Sequence, residues 1–382
     1  MTVDIRKELP EIFKDFAEGR QNAFIKVKEQ KEKGIPLIGT FCTFFPQELA
    51  VAAGATSVSL CSTSDETISD AERDLPSNLC PLIKSSYGFA MTNKCPFFYF
   101  SDMIIGETTC DGKKKMYEYL GNFRPTHVME LPNKYSEDGL KLWANQIRKA
   151  KEVIEETFNV NITDEDLERA IKVKNAERSA VKDFYEIMEA DELPCTGLEL
   201  WHVLTGITFE FDKHKIPEEI KALKEQVLSE SKKITGKKRI LITGCPIGGA
   251  TEKVIEAVEN NGGIVVSYEN CGGAKAIDRN VEEDTGDPIA AMAEKYLQIG
   301  CACMSPNPNR KKLLSKLIDQ FKVDGVIDMH LQACQPFQVE SLSIKNFVNN
   351  EKNLPYMSVE TDYGQSDIGQ LNTRITAFLE MI

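Results

Sequence analysis

Short β-branched and aromatic runs recur along this chain, each followed by a stretch of helical character. Ile35–Cys42 reads as a buried strand, and Pro46-Gln47-Glu48-Leu49 then opens a helix that Gly54 closes. Thr56–Cys61, Phe97–Ile105 and Thr126–Pro132 read as the next three strands. A second series begins at Arg239, with strands over Arg239–Cys245, Gly263–Cys271, Asp324–Cys334 and Pro355–Tyr363. Helices over 251–261, 288–299, 310–321 and 368–381 separate and close that series. Strands that alternate with helices pair in parallel through crossovers rather than as hairpins. The expected fold class is therefore α/β, with two similar lobes, each on a parallel sheet.

Between the two series the composition changes. Residues 136–191 and 197–233 are rich in Lys, Glu, Ala, Ile and Leu, and read as helices broken at Phe209–Asp212. Lys232–Lys238 reads as an exposed linker. A charged amphipathic helix or helix pair is expected over 4–33. The 382 residues are thus expected to divide into a first lobe with its leading helix (1–135), a helical connecting layer (136–236) and a second lobe (237–382).

A net charge of −13 argues against nucleic-acid or anionic-membrane partners, which call for a basic face. Lys113-Lys114-Lys115 is a local exception, read as a solvated helix face. No apolar run is long enough to span a bilayer, and the N-terminus lacks an apolar signal segment. A cytoplasmic location is expected. In such a chain eleven cysteines point to metal or redox chemistry more than to disulfides, although a free cysteine is also an ordinary small hydrophobe.

Their positions argue for chemistry. Cys42, Cys61, Cys245, Cys271 and Cys334 end strand runs, Cys110 follows Phe97–Ile105 at a strand-to-helix turn, and Cys80 precedes a proline that can open a helix. Ligands of parallel α/β sheets gather at the carboxyl ends of strands. Helix N-termini lower thiol pKa and donate to anionic sulfur. Thiols placed this way in two lobes suit an iron–sulfur cluster in the crevice between them. No ferredoxin run or zinc-type Cys pair is present, and Cys301-Ala302-Cys303 is the one close pair.

Gly244–Gly249 is a glycine-rich turn but neither a dinucleotide nor a phosphate-loop motif, so the chain is not expected to hydrolyse ATP itself. His127, His202, His214 and His330 form no spaced cluster, and ordinary structural roles are expected for them. Glu360, Asp362 and Asp367 end the last strand, either reaching the crevice or standing as solvated acids.

The segments LPSNLCPLIKSSYG (75–88), GETTCDGKKKMYEYL (106–120), GCPIGGATEKVIEAVENNGG (244–263), YENCGGAK (268–275), GCACMSPNPNR (300–310) and ETDYGQSDIGQLNTRITAF (360–378) resemble double-cubane cluster proteins of the 2-hydroxyacyl-CoA dehydratase and benzoyl-CoA reductase family. The resemblance implies two Rossmann-like lobes plus helices, with a [4Fe-4S] cluster held at the positions of Cys80, Cys110 and Cys334. In the double-cubane branch a second cubane joins the first as [8Fe-9S] and needs further thiols. Cys42 is the first choice and Cys271 the second. The third is Cys301 or Cys303, with Cys245 in reserve, while Cys61, Cys95 and Cys195 are read as packing.

The implied function is an oxygen-sensitive, anaerobic reductase. A separate ATP-hydrolysing iron–sulfur activator charges the cluster, which reduces a small molecule. A homodimer is expected, since one chain carries every ligand. The alternative is a 2-hydroxyacyl-CoA dehydratase subunit with one [4Fe-4S] cluster, and a non-catalytic metal or sulfur carrier is a third reading. The chain has Cys334-Gln335-Pro336 where relatives often carry Cys-His, which removes an obvious proton donor.

Overall fold

The structure, a computed structural model, describes residues 11–382 except 231, 246 and 247, with side chains described from residue 22. A leading helix, α1, covers Glu11–Glu32; the part expected before residue 11 lies outside the described residues. The first lobe continues through β1 (Leu37–Thr40), α2 (Glu48–Ala52), β2 (Thr56–Ser59), α3 (Ile68–Ala71), α4 (Pro81–Thr92), α5 (Pro96–Phe100), β3 (Met103–Glu107), α6 (Asp111–Leu120) and β4 (Thr126–Met129). Its strands are all parallel, in the order β2-β1-β3-β4. β1 and β3 are buried along their whole length, as parallel strands covered on both faces must be.

One expected strand begins later than its sequence suggests. Phe97–Phe100 is helical: Cys95 caps α5, Pro96 fills its first turn, and the strand starts only at Met103. A proline with φ pre-set for the first helical turn outweighs the strand preference of four aromatic residues.

The middle helices are α7 (Glu137–Phe158), α8 (Asp164–Tyr185), α9 (Gly197–Ile207) and α10 (Ile216–Ser229). Side chains set their starts. Ser136 accepts from the Gly139 amide, and reciprocal capping boxes, Thr163 with Asp166 and Thr196 with Glu199, open α8 and α9. These helices bind both sheets. Trp143 and Ile147 of α7 and Leu167 and Ile171 of α8 join the first-lobe core. Phe184 at the end of α8, Trp201 and Leu223 join the second.

The second lobe comprises β5 (Lys238–Gly244), α11 (Gly249–Asn260), β6 (Gly263–Tyr268), α12 (Ala274–Ile277), α13 (Pro288–Leu297), α14 (Pro308–Gln320), β7 (Gly325–Leu331), α15 (Gln335–Asn346), β8 (Tyr356–Thr361) and α16 (Ile368–Met381). Its parallel order, β6-β5-β7-β8, repeats that of the first lobe strand for strand. α15, extended by a π-turn over Phe347–Glu351, was not foreseen in the sequence. α13 crosses over to pack on α7, the middle helix that joins the first-lobe core.

In each sheet the chain steps outward from its first strand, then returns to the other side of it. That reversal opens a crevice beyond the carboxyl ends of β1 and β3 in one lobe, and of β5 and β7 in the other.

Candidate functional site

The two crevices share one cavity of about 2040 Å³, and ten of the eleven cysteines line it, all eleven being reduced. Cys195 lies elsewhere, fully buried against Met188 in the second-lobe core. Cys61 and Cys95 pack against the first-lobe core and also border the cavity. The Cys61 thiol donates to the Phe41 carbonyl at 2.9 Å.

Cys80, Cys110 and Cys334 have the same local setting. Each is the N-cap of a helix, α4, α6 and α15 respectively, and none commits its side chain to a capping hydrogen bond. First-turn amides of Leu82 and Ile83, of Lys113, and of Phe337 favour the thiolate at these positions. Cys80 is hydrogen-bonded to Cys334, and Cys334 to Cys245. Donation to Cys334, and then burial, hold the Cys80 thiol well above its ordinary range. Donation to Cys245 does the same for Cys334, while burial raises Cys110.

Backbone geometry brings Cys245 to this group. Gly244 has φ +118, and a Cβ there would fall 1.7 Å from the Met329 carbonyl oxygen. Only glycine lets β5 approach β7 this closely. The Cys245 amide then donates to Met329 at 3.1 Å, and the Leu331 amide donates to the Cys245 sulfur at 3.4 Å. Ala333, at φ +56, turns the chain so that Cys334 caps α15. Cys245, held in reserve for a second cubane, thus stands with the first three thiols.

A second group adjoins the first. Cys42 follows β1, Cys271 follows β6, and Cys301 and Cys303 lie in the turn between α13 and α14. Cys42, Cys271 and Cys303 each feel the charge of Cys301, and Cys110 of the first group feels it too. Cys301 is pushed down to about 6, chiefly because the Cys303 thiol donates to it, with Lys275 adding to the effect. Burial raises Cys42 and Cys271.

Each lobe also sends one lysine toward the sulfurs, half-buried Lys113 from the first and buried Lys275 from the second. Lys114 and Lys115 pair with Asp111 and Glu118 on the outer face of α6, as a solvated helix face should. Lys113 does not follow them; this corrects the sequence reading. It turns into the cavity, donates to the Phe41 carbonyl at 3.2 Å and lies 5.9 Å from that ring's centroid. Burial alone would depress it, yet Tyr117 and the thiols of Cys61, Cys42 and Cys110 keep it well above the usual lysine range. A signal was present: Lys113 precedes Met116, Tyr117 and Leu120 by three, four and seven residues, the spacing of a buried helix face.

Lys275 is the second-lobe counterpart. Its Nζ is 3.1 Å from Glu269, and its charge acts on Cys271 and Cys301. Behind it Arg310, with no exposed side chain, joins Glu269 at 3.3 Å, Asp328 at 3.5 Å and Glu340 at 2.6 Å.

Glu107, at the end of β3, is fully buried, and neither of its carboxylate oxygens makes a well-formed hydrogen bond. Burial pushes it up to about 8, against the pull of Lys113 and, more weakly, of its own amide and that of Phe45. Among the histidines, His202 lines the cavity, 3.9 Å from Glu252. Glu360, Asp362 and Asp367 do not line it and bond locally to Gln338, the Gly364 amide and Lys253. Among the described residues no group of three or more His, Cys, Asp or Glu side chains closes on a single-ion site; the thiols surround a volume instead. No helix among them is long and apolar enough to cross a membrane.

Two parallel lobes of like strand order, meeting at a thiol-lined cavity, define the class of protein to which the fold and site belong. Residues 42–382 match the family model described as 2-hydroxyglutaryl-CoA dehydratase, D-component, and the chain belongs to that family. It is 53% identical over 379 residues to a protein of Escherichia coli (strain K12) provisionally named dehydratase subunit YjiM, with 98% of this chain and 99% of that one covered. It is 25% identical to the (R)-phenyllactyl-CoA dehydratase beta subunit of Clostridium sporogenes, with 97% of each covered. A benzoyl-CoA reductase subunit of Thauera aromatica is 19% identical, with 89% of each covered. The wider family expected from the sequence is thereby established.

Proposed function

We propose that this chain is the iron–sulfur component of an ATP-dependent reductase, with a double-cubane [8Fe-9S] cluster in the interlobe cavity. One observation carries the reading: two adjoining groups of four thiols, each drawn from both lobes and each served by a lysine that turns into the cavity or is buried beside it. The donor set fits the group, because clusters of this kind are held by Cys thiolates and tuned by burial and by hydrogen bonds to sulfur. Cys80, Cys110 and Cys334, with Cys245 beside them, would hold one cubane. Cys42 and Cys271, with Cys301 or Cys303, would hold the other. Bound there, the cluster supplies low-potential electron transfer.

The chain's own residues do the rest. Helix-start amides face three of the sulfurs and favour thiolates. Lys113 and Lys275 offset negative charge where burial makes it costly. Phe41, Leu331 and Phe337 give the cavity an apolar wall that limits water near the sulfurs. In this reading the electrons come from a separate ATP-hydrolysing activator. The working unit is a cytoplasmic homodimer, the commonest closed assembly, and the substrate is a small molecule.

The relatives' names favour a second reading, a 2-hydroxyacyl-CoA dehydratase subunit with one [4Fe-4S] cluster. Iron and sulfide analysis of anaerobically purified protein separates the two. About eight iron atoms per chain, falling to roughly half in Cys42→Ser, supports two four-iron cubanes. About four, unchanged in Cys42→Ser, supports the dehydratase reading.

A further inference from the structure

Away from the sulfurs, the same cavity has a basic corner. Lys174 and Arg178 of α8, Lys213 of the α9–α10 turn and Lys295 of α13 all line it. Chain connectivity places this corner beside the second thiol group, for Glu48 follows Cys42 by six residues and Lys295 precedes Cys301 by six.

Two of the four cations are satisfied. Lys174 bonds Gln47 at 2.8 Å and pairs with Glu177. Arg178 pairs with Glu48 and bonds Asn175 at 2.6 Å and the Tyr296 hydroxyl at 3.1 Å. The other two are not. Lys213 donates to the neutral Glu210 carbonyl at 2.6 Å, and its nearest carboxylate is Glu177 at 3.9 Å, which already serves Lys174. Lys295 has no carboxylate within ion-pair distance among the described residues; its Nζ lies 3.8 Å from the Tyr296 ring centroid. The next cation outward, Lys26, is neutralised by Glu210 at 2.7 Å.

The corner therefore holds two more basic side chains than carboxylates, and its side chains are largely shielded from solvent. Burying an unpaired charge is costly, so burial disfavours the charged form of the two bare lysines. Burial, and then Arg178, push Lys295 well below the usual lysine range. Burial, with Lys174 also acting against the charge, brings Lys213 down to about 8. Lys213 reaches Glu177 of α8 at 3.9 Å, and Lys295 lies against the ring of Tyr296, whose hydroxyl accepts from Arg178 of α8 at 3.1 Å, so both lysines face the same stretch of α8. An ammonium is a compact point charge with three rotatable donors, suited to an oxyanion of variable shape.

We propose that this corner is an anion subsite of the chamber, receiving a small dianionic oxyanion, a dicarboxylate or a phosphate monoester. Lys213 and Lys295 are its primary contacts, while Lys174 and Arg178 supply background charge. The proposal deepens the reading of the cavity as a substrate chamber and names the substrate's charge, but anion binding does not depend on which cluster is present.

The test is calorimetric titration of the anaerobically purified full chain with succinate, inorganic phosphate and acetate, with iron content measured in parallel. Succinate or phosphate should bind at least tenfold more tightly than acetate, and whichever binds better identifies the head group. Lys213→Met and Lys295→Met should each weaken that binding at least tenfold, while Lys311→Met, elsewhere on the cavity wall, should not. Both methionine variants should also melt at or above the wild-type temperature without ligand, since each replaces a buried, poorly paired amine with an apolar side chain of similar length, so misfolding cannot imitate the expected result. Absence of dianion binding at millimolar concentration overturns the proposal. So does binding that survives both substitutions, or binding lost in Lys113→Met but kept in Lys295→Met. Iron content that falls short while the anion still binds would count against the cluster alone.

Discussion

Replacing Glu107 by Gln should make the first lobe more stable, and increasingly so as the pH rises. The carboxyl is fully buried with neither oxygen in a well-formed hydrogen bond, and burial raises it from the ordinary 4.5 to about 8. Between those values the folded chain holds a proton that the unfolded chain has lost. Stability therefore falls with rising pH across this window, by about 1.4 kcal/mol per pH unit. Over the whole window the loss approaches about 5 kcal/mol, an upper figure because the fold can relax around the charge. Glutamine has nearly the same shape and does not titrate, so the variant escapes the loss.

The assay is urea unfolding of metal-free, reduced protein from about pH 5 to about pH 9, followed by tryptophan fluorescence in a Trp201→Phe background. That leaves Trp143, buried in the first-lobe core, as the reporter. The stability difference between Glu107→Gln and its parent should widen up to about pH 8 and then level off. Adding Lys113→Met should carry the widening to higher pH, because Lys113 holds the carboxyl down. Parallel stability curves across the range would refute the argument.

Other outcomes follow from neighbouring features. Arg310→Met strips Glu269 and Asp328 of their shared partner and should destabilise the second lobe by about 3–5 kcal/mol, read by Trp201 fluorescence during denaturation. Cys195→Ser should cost about 1–3 kcal/mol by leaving a buried hydroxyl poorly satisfied, while iron per chain stays at the wild-type value; a fall in iron would give this cysteine a role the cavity does not. Aeration of purified protein should bleach it and release iron as thiolates oxidise, and full retention of iron after prolonged exposure to air would oppose an accessible cluster.

Much of the fold was legible because strand and helix periods alternate cleanly, and parallel pairing follows from that alternation. Phe97–Phe100 misled because aromatic residues favour strands, whereas the deciding residue was Pro96, one position earlier. The arrangement of the thiols was readable for a related reason: strand ends and helix starts are local features, and the topology carries them to one crevice. The basic corner was not readable. Its members run from Lys174 to Lys295, each looks like an ordinary helix or loop lysine, and only the crossing of α13 onto α7 and α8 brings them together. The nearness of Cys245 to Cys334 was not readable either, because it is set by the close approach of β5 to β7 at Gly244, a tertiary event.

Each thiol group takes members from both halves of the chain, and this dictates an order of manufacture. When Cys42, Cys80 and Cys110 leave the ribosome, their partners have not yet been made. Neither group is complete before the last third of the polypeptide has emerged, and Cys334 arrives only after β7. A prosthetic group that needed every member of either set could be seated only after Cys303 or Cys334 had been made, and a fragment ending before Cys245 would offer neither set whole.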